Sequence, residues 1–345
     1  MFSEITKERW RRFRAIKRAY FSLLILCAAF ILSLFSEVIA NDNPVYIYYE
    51  GKSYFPLVSF HSGREFGQPF DEEADYAKLR HDETFRARAV WLSTPVPHSP
   101  NTADLDQPGV PPYGPDFARG HWLGTDRLGR DLFARLLYGF RLCMIFSLTL
   151  IVISAFLGVV IGGVQGYLGG RTDIVMQRLI EVWSALPFLY VVILIGSIYG
   201  RNFAVLIFVM SLFSWIGLSY YMRGEFYKMR DQTYVRVARA LGFSGPRIFF
   251  RQILPNALTP VITILPFTLI GGISSLTALD FLGFGLPPPT PSWGELLQQG
   301  LDVIREEPRI TVVTTIALFN TLMLATFIGE GVREVFDPRS RHRVE

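Results

Sequence analysis

DQTYVRVARALGFSGPRIFFRQILPNAL, residues 231–258, is the stretch on which the reading of the chain turns. It is basic and amphipathic, broken at one glycine, closed by a proline, and set between two hydrophobic runs. Read as a helix, its first part puts Tyr234, Val237, Ala238 and Leu241 on one face, at i, i+3, i+4 and i+7, with Arg236 and Arg239 on another. Gly242 can end that helix, because glycine enters the left-handed conformation cheaply. Ser244 can cap a second helix and Pro255 can stop it. The pattern predicts a short helix pair at the cytoplasmic face of a membrane, shaped to dock another protein. An interfacial pair with its arginines among lipid headgroups has the same periodicity.

Working outward, composition sets the class. Of 345 residues, half are hydrophobic and 14% aromatic, yet 19% are charged. Mean hydropathy is +0.29. That mixture suits a multispanning membrane protein with sizeable polar loops and excludes a soluble globule. Cys27 and Cys143 lie in or beside apolar runs and read as buried small hydrophobes, not as a disulfide framework. The histidines at 61, 81, 98, 121 and 342 lack metal-ligand spacing, so no metal site is expected.

A membrane helix needs ~20 mostly apolar residues. Six candidates lie near 19–40, 142–164, 174–199, 203–222, 256–282 and 309–331. Residues 1–18 hold seven Lys or Arg against two Glu, and residues 223–251 hold seven basic against two acidic side chains. The excess of positive charge places both segments inside, and an even number of spans returns the C-terminus there. The expected organisation is a basic N-terminus 1–18, a first span 19–40, an insert 41–141 outside, a five-span core 142–331 with the loop 223–255, and a cytoplasmic tail 332–345. The first span reads as an uncleaved anchor. Its uncharged run from Ala19 to Ser36 exceeds the roughly 7–15 residues of a signal peptide.

Residues 41–120 carry twelve acidic and seven basic side chains, too polar for lipid. YIYYEGKSYFPLV looks like a strand and turn, whereas TPVPHSPN and QPGVPPYGPD read as extended, irregular chain. In the second span Gly158, Gly162, Gly166 and Gly170 recur every four residues, a bare face on which a neighbouring helix can pack. The third span contains Arg178, Glu181 and Pro187. The two charges are three apart and can pair, a structural role weighed against a proton relay. Pro187, Pro260 and Pro266 should each kink or interrupt a helix. After four prolines, Ser292 can cap a short amphipathic helix beginning at Trp293. Trp293, Leu297, Gln298 and Leu301 on it are candidates for contact with a docked protein or for closing a path, against an interfacial helix that only rests on the bilayer.

Chemistry-bearing motifs are absent. Gly51-Lys52-Ser53 resembles the end of a phosphate-binding loop, but Tyr46 stands at its first glycine. No Ser-His-Asp arrangement, zinc motif or dinucleotide fingerprint appears, so any catalytic engine belongs to another chain. A membrane enzyme would need converging ionisable groups. A proton-coupled transporter or channel would need polar residues lining several spans, for which Asn320 and Thr321 are the best candidates. Both remain alternatives.

The 231–258 loop resembles the signature of ABC importer permeases: Glu-Ala-Ala, three residues, Gly, nine residues, Ile-x-Leu-Pro. Arg236-Val237-Ala238 takes the first place, then Arg239, Ala240 and Leu241, Gly242, Gln252, Leu254 and Pro255. The Glu, the first Ala and the Ile are replaced, while the glycine-to-proline spacing matches. HWLGTDRLGRDLFARLLYGFR (121–141), LDFLGFGLPPPTPSWG (279–294) and GEGVREVFDPR (329–339) are similar to further segments of dipeptide and oligopeptide importer permeases. SEVIANDNP (36–44) with YFP (54–56) resembles the subgroup that imports microcin C and other peptides.

This resemblance implies an all-α integral membrane protein with one extra N-terminal span before a five-span core. It implies a non-catalytic inner-membrane subunit that forms the path for peptides or peptide-like compounds. The implied partners are a second homologous permease, two cytoplasmic ABC ATPases, a periplasmic peptide-binding protein and membrane lipid, with no nucleic acid. No cofactor is implied for this chain; ATP and Mg belong to the partner ATPases.

Overall fold

The computed structural model describes residues 4–336, which excludes the end of the expected tail and His342. The chain forms two compact units. One comprises Met1–Cys27, Cys143–Pro287 and Phe319–Glu345; the other comprises Ala28–Leu142 and Pro288–Leu318.

Helices dominate. An amphipathic basic helix, α1 (Glu4–Ala15), precedes α2 (Lys17–Leu34). After the insert come α3 (Leu132–Leu168), α4 (Gly170–Ser184), α5 (Phe188–Tyr199), α6 (Phe203–Ser214) and α7 (Ile216–Met229). Beyond them lie α8 (Thr233–Ala240), α9 (Gly245–Ile248), α10 (Thr259–Phe281), α11 (Trp293–Asp302) and α12 (Arg309–Phe336). Five stretches are long and apolar enough to cross a membrane: α2, α3, Phe203–Met229, α10 and α12. A sixth span exists if α4 and α5, bent by 71° at a short break, count as one.

One span start and two of the three prolines depart from the sequence expectation, whereas the break at Pro187 follows it. The second span starts at Leu132, ten residues before the expected 142, because Asp131 caps it: its Oδ1 accepts the Ala134 N–H at 2.7 Å. The third is broken at Pro187, whose backbone is extended (ψ 105°) and which has no N–H to continue the helix. Pro266 lies inside α10, which continues past it, and Pro260 sits in that helix's first turn, where a missing donor costs nothing.

The insert is more ordered than its composition suggests. β1 (Tyr46–Tyr49) pairs antiparallel with β2 (Lys52–Tyr54) and with β3 (Ala89–Leu92), in the order β2-β1-β3. Gly51-Lys52-Ser53 therefore forms a hairpin, as the strand reading of this stretch expected. Alternation along β1 turns Ile47 and Tyr49 into a core with Tyr54, Phe66, Tyr76, Leu79 and Phe85. Tyr54 meets Phe66 edge-on, ring centroids 4.9 Å apart. The Pro-rich stretches 94–101 and 107–116 carry isolated bridges but no helix or strand.

Candidate functional site

The 231–258 loop is built on a buried floor. Val235 and Ala238 of α8 pack with Leu218, Met222, Phe226, Ile248, Phe249 and Ile253 in one apolar cluster. The inward stripe of α8 is thus narrower than, and rotated from, the face read in the sequence. Ala238 is inside, whereas Tyr234, Val237 and Leu241 are 40%, 51% and 69% exposed. Arg236, Arg239 and Ala240 are exposed as well. The guanidinium of Arg239 lies 5.8 Å over the Tyr167 ring. What the loop shows outward is an apolar strip edged by arginines.

Gly242 fixes how α8 ends. Its φ is +78°, its N–H donates to the Arg239 carbonyl at 3.0 Å, and the next N–H, of Phe243, reaches back to the Ala238 carbonyl at 3.1 Å. These two bonds satisfy carbonyls that a helix end otherwise leaves open. Nothing lies within 4 Å of a Cβ built there, so backbone conformation, not space, selects glycine.

The second half of the loop departs from expectation. Ser244 stands at the N-cap of α9 in extended backbone, but its side chain makes no capping bond. Pro255 does not stop the helix. A π-turn over Phe249–Ile253 intervenes, and the Leu254 N–H bonds Phe249 O, five residues back. That wider turn restarts the helix as Leu254–Ala257, with Pro255 in the first turn, where its absent N–H is not needed. Leu254 packs against the same apolar cluster.

The floor is held by α3. A Cβ on Gly158 would come within 2.9 Å of Leu218, one on Gly162 within 2.2 Å of the Ser219 carbonyl, and one on Gly166 within 2.4 Å of the Arg223 carbonyl. Those three glycines admit α7 to backbone contact. Gly170 is a correction to the four-residue row. It lies past the end of α3 with φ +56° and no neighbour within 4 Å of a built Cβ, so it serves the turn into α4.

In the other unit, α11 starts at Trp293 with Ser292 as its cap, the serine Oγ accepting the Gly294 and Glu295 N–H groups. Trp293 is 2% exposed, stacks on Phe140 at 5.8 Å and donates its indole N–H to the Leu136 carbonyl at 3.0 Å. It is an anchor, not a contact surface, because Gly139 leaves room for the ring. Leu297 is half-buried; Gln298 and Leu301 are exposed.

Sequence reading used the 121–141 segment only as a marker and missed its ion network. Glu295 accepts from Arg130 at 2.8 Å and from Arg135, while Arg130 also binds Asp126 at 2.7 Å. His121 is bonded through Nδ1 to Asp131 (2.8 Å) and through Nε2 to Asp104 (3.1 Å), and His98 stacks on it with centroids 3.8 Å apart. Burial works against charge on His121, but the two carboxylates outweigh it and hold its pKa above the usual 6.5. Burial, then the neighbouring His121, pushes His98 below that value. Only the recurrence of Asp and Arg within GTDRLGRD hinted at this network.

Compared with known proteins, residues 154–342 match the family described as "Binding-protein-dependent transport system inner membrane component". The "Peptidoglycan transport system permease protein YejE" of Agrobacterium fabrum (strain C58 / ATCC 33970) is 39% identical, over 99% of this chain and 95% of that one. The "Inner membrane ABC transporter permease protein YejE" of Escherichia coli (strain K12) is 41% identical, over 97% and 98%. The "Dipeptide transport system permease protein DppC" of Bacillus subtilis (strain 168) is 33% identical, over 71% and 75%.

Proposed function

The chain belongs to the family of binding-protein-dependent transport system inner membrane components, and from that premise we propose that it is the non-catalytic permease half of an ATP-driven peptide importer. Its cargo is peptides or peptide-like compounds, microcin C among them. It pairs with a second homologous permease and works with two cytoplasmic ABC ATPases, residues 231–258 being this chain's docking loop for them. Cargo arrives from a peptide-binding protein on the opposite side. The basic segments 1–18 and 223–251 support this orientation, with both termini and the docking loop inside.

The observation that carries the reading is the loop itself: Tyr234 and Val237 of α8, with Leu241 at its cap, project beside an adjacent stripe, Val235 and Ala238, that is locked into the core. A rigid knob of this kind passes on a partner's displacement, where a flexible loop would absorb it. ATP binding closes the ATPase pair, and the knob converts closure into a shift between inward- and outward-facing states. Moving such an equilibrium from 1:99 to 99:1 takes about 5.5 kcal/mol of differential binding.

Purification of the chain with its partners tests this reading. ATP hydrolysis should appear only when the ATPase chains are present, and uptake of a labelled tripeptide should stop with vanadate. Uptake that survives vanadate but collapses with the proton gradient would point to a proton-coupled transporter.

A further inference from the structure

We propose that Asp173 and Arg223 are positioning residues of the transport cycle, carrying displacement of the docking loop to the bent third span. The proposal rests on the assignment of residues 231–258 as the ATPase-docking loop.

The helix that carries the loop is α7, which ends at Met229 with Arg230 as its cap. Ser219, Arg223, Phe226 and Arg230 recur along it at i, i+4, i+7 and i+11, one helical face. That face runs down the glycine row of α3: a Cβ on Gly166 would meet the Arg223 carbonyl at 2.4 Å and the Phe226 Cβ at 2.8 Å. Contact this close leaves little room for α7 to slide without taking α3 and the following turn with it.

Two guanidinium groups close the end of the seam nearest the loop. Arg223 donates from Nε and Nη2 to the two oxygens of Asp173, at 2.6 and 2.7 Å. Arg230 donates to the Gly166 carbonyl at 3.4 Å and lies 3.9 Å over the Tyr227 ring. Asp173 sits in the first turn of α4, and its side chain is 11% exposed. Gln165, fully buried on α3, donates to the Asp173 carbonyl at 3.3 Å and to Gln177 Oε1 at 3.0 Å. One fork therefore joins the helix that carries the loop to the limb whose far end makes the 71° bend at Pro187.

A two-point fork fixes orientation as well as distance, which a single ammonium contact does not. Transmission needs an element with two arrangements that both sites bias. The broken α4–α5 span is the element placed to be one, since Pro187 at its hinge has no N–H to continue the helical ladder.

The test uses the whole transporter in liposomes, with this permease, its partner permease, the ATPases and loaded binding protein, and measures ATP hydrolysis and labelled-tripeptide uptake in the same vesicles. Asp173→Asn and Arg223→Lys should keep the ATPases bound, with hydrolysis continuing. Uptake per ATP should fall by roughly fivefold or more, the scale of an ordinary coupling free energy. The double variant should be no worse than either single one, because both break the same fork. Hydrolysis and uptake falling in parallel, or an unchanged ratio, would overturn the proposal. If Arg223→Lys does not accumulate, the isosteric Asp173→Asn decides by the same ratio. A wild-type complex that never holds the ATPases would instead overturn the docking-loop reading.

Discussion

The Phe243 amide donates to the Ala238 carbonyl at 3.1 Å across Gly242, so the end of α8 is tied by a bond that only a left-handed residue between them permits. An L-residue with a side chain pays about 1–2 kcal/mol in that conformation, more if β-branched. Gly242→Ala should weaken coupled transport, and Gly242→Val or Gly242→Pro should abolish it, with the protein still in the membrane. Stimulation of ATP hydrolysis by loaded binding protein reports the effect. Wild-type stimulation in the valine variant would contradict the role given to this turn.

Gln298 and Gln299 are adjacent but differently placed. Gln298 is exposed, whereas Gln299 is half-buried and donates to Glu295 Oε1 at 2.8 Å. Cysteine at 298 should react with a membrane-impermeant thiol reagent added outside faster than cysteine at 299, and more slowly once binding protein docks. Reaction only from the cytoplasmic side would overturn the proposed orientation.

Trp293→Ala should destabilise the unit containing α11 by about 3–5 kcal/mol through the cavity left by the indole. Trp293→Phe keeps most of the volume but leaves the Leu136 carbonyl without its partner, costing about 1 kcal/mol. Thermal unfolding of the detergent-solubilised protein measures both. Equal shifts for the two variants would show that the hydrogen bond, not the packing, anchors the helix.

The stacked imidazoles predict opposite pH responses. His121, held above 6.5 by Asp131 and Asp104, contributes stability that is full below 6.5 and lost as pH rises through its raised value. His98 is held below 6.5, so its contribution is present above 6.5 and lost as pH falls through its lowered value. The groups around the pair are Asp104, Asp131, Arg80 and the Arg119 carbonyl, which His98 Nε2 meets at 2.8 Å. His121→Gln should therefore cost more stability at about pH 6 than at about pH 9, and His98→Gln the reverse. Protection of the insert against hydrogen exchange, followed across that range, separates them.

Local rules were legible where a single residue decides the outcome. The left-handed Gly242, the Ser292 cap and the break at Pro187 each follow from one side chain's chemistry, and the spans follow from hydropathy. What depended on distant partners was not. The start of α3 ten residues before 142 is one such case: Arg135, in its first turn, has its charge met by Glu295, 160 residues away. Phe66, Tyr76 and Phe85 are irregularly spaced and meet only in the folded insert, which therefore read as mostly loop. The passage through Pro255 required a π-turn that no periodicity announces. On α8 the apolar face was visible, but its orientation was not, because the narrow Val235–Ala238 stripe suffices to hold the helix down.

The most direct test of the account is a pull-down of the ATPase subunits with the permease carrying Arg236→Glu and Arg239→Glu together. Charge reversal at an interface opposes like charges or strands a partner, at a cost of several kcal/mol. The variant should insert and fold normally but lose the ATPases. Normal retention of the ATPases would place these arginines among lipid headgroups and contradict the docking assignment.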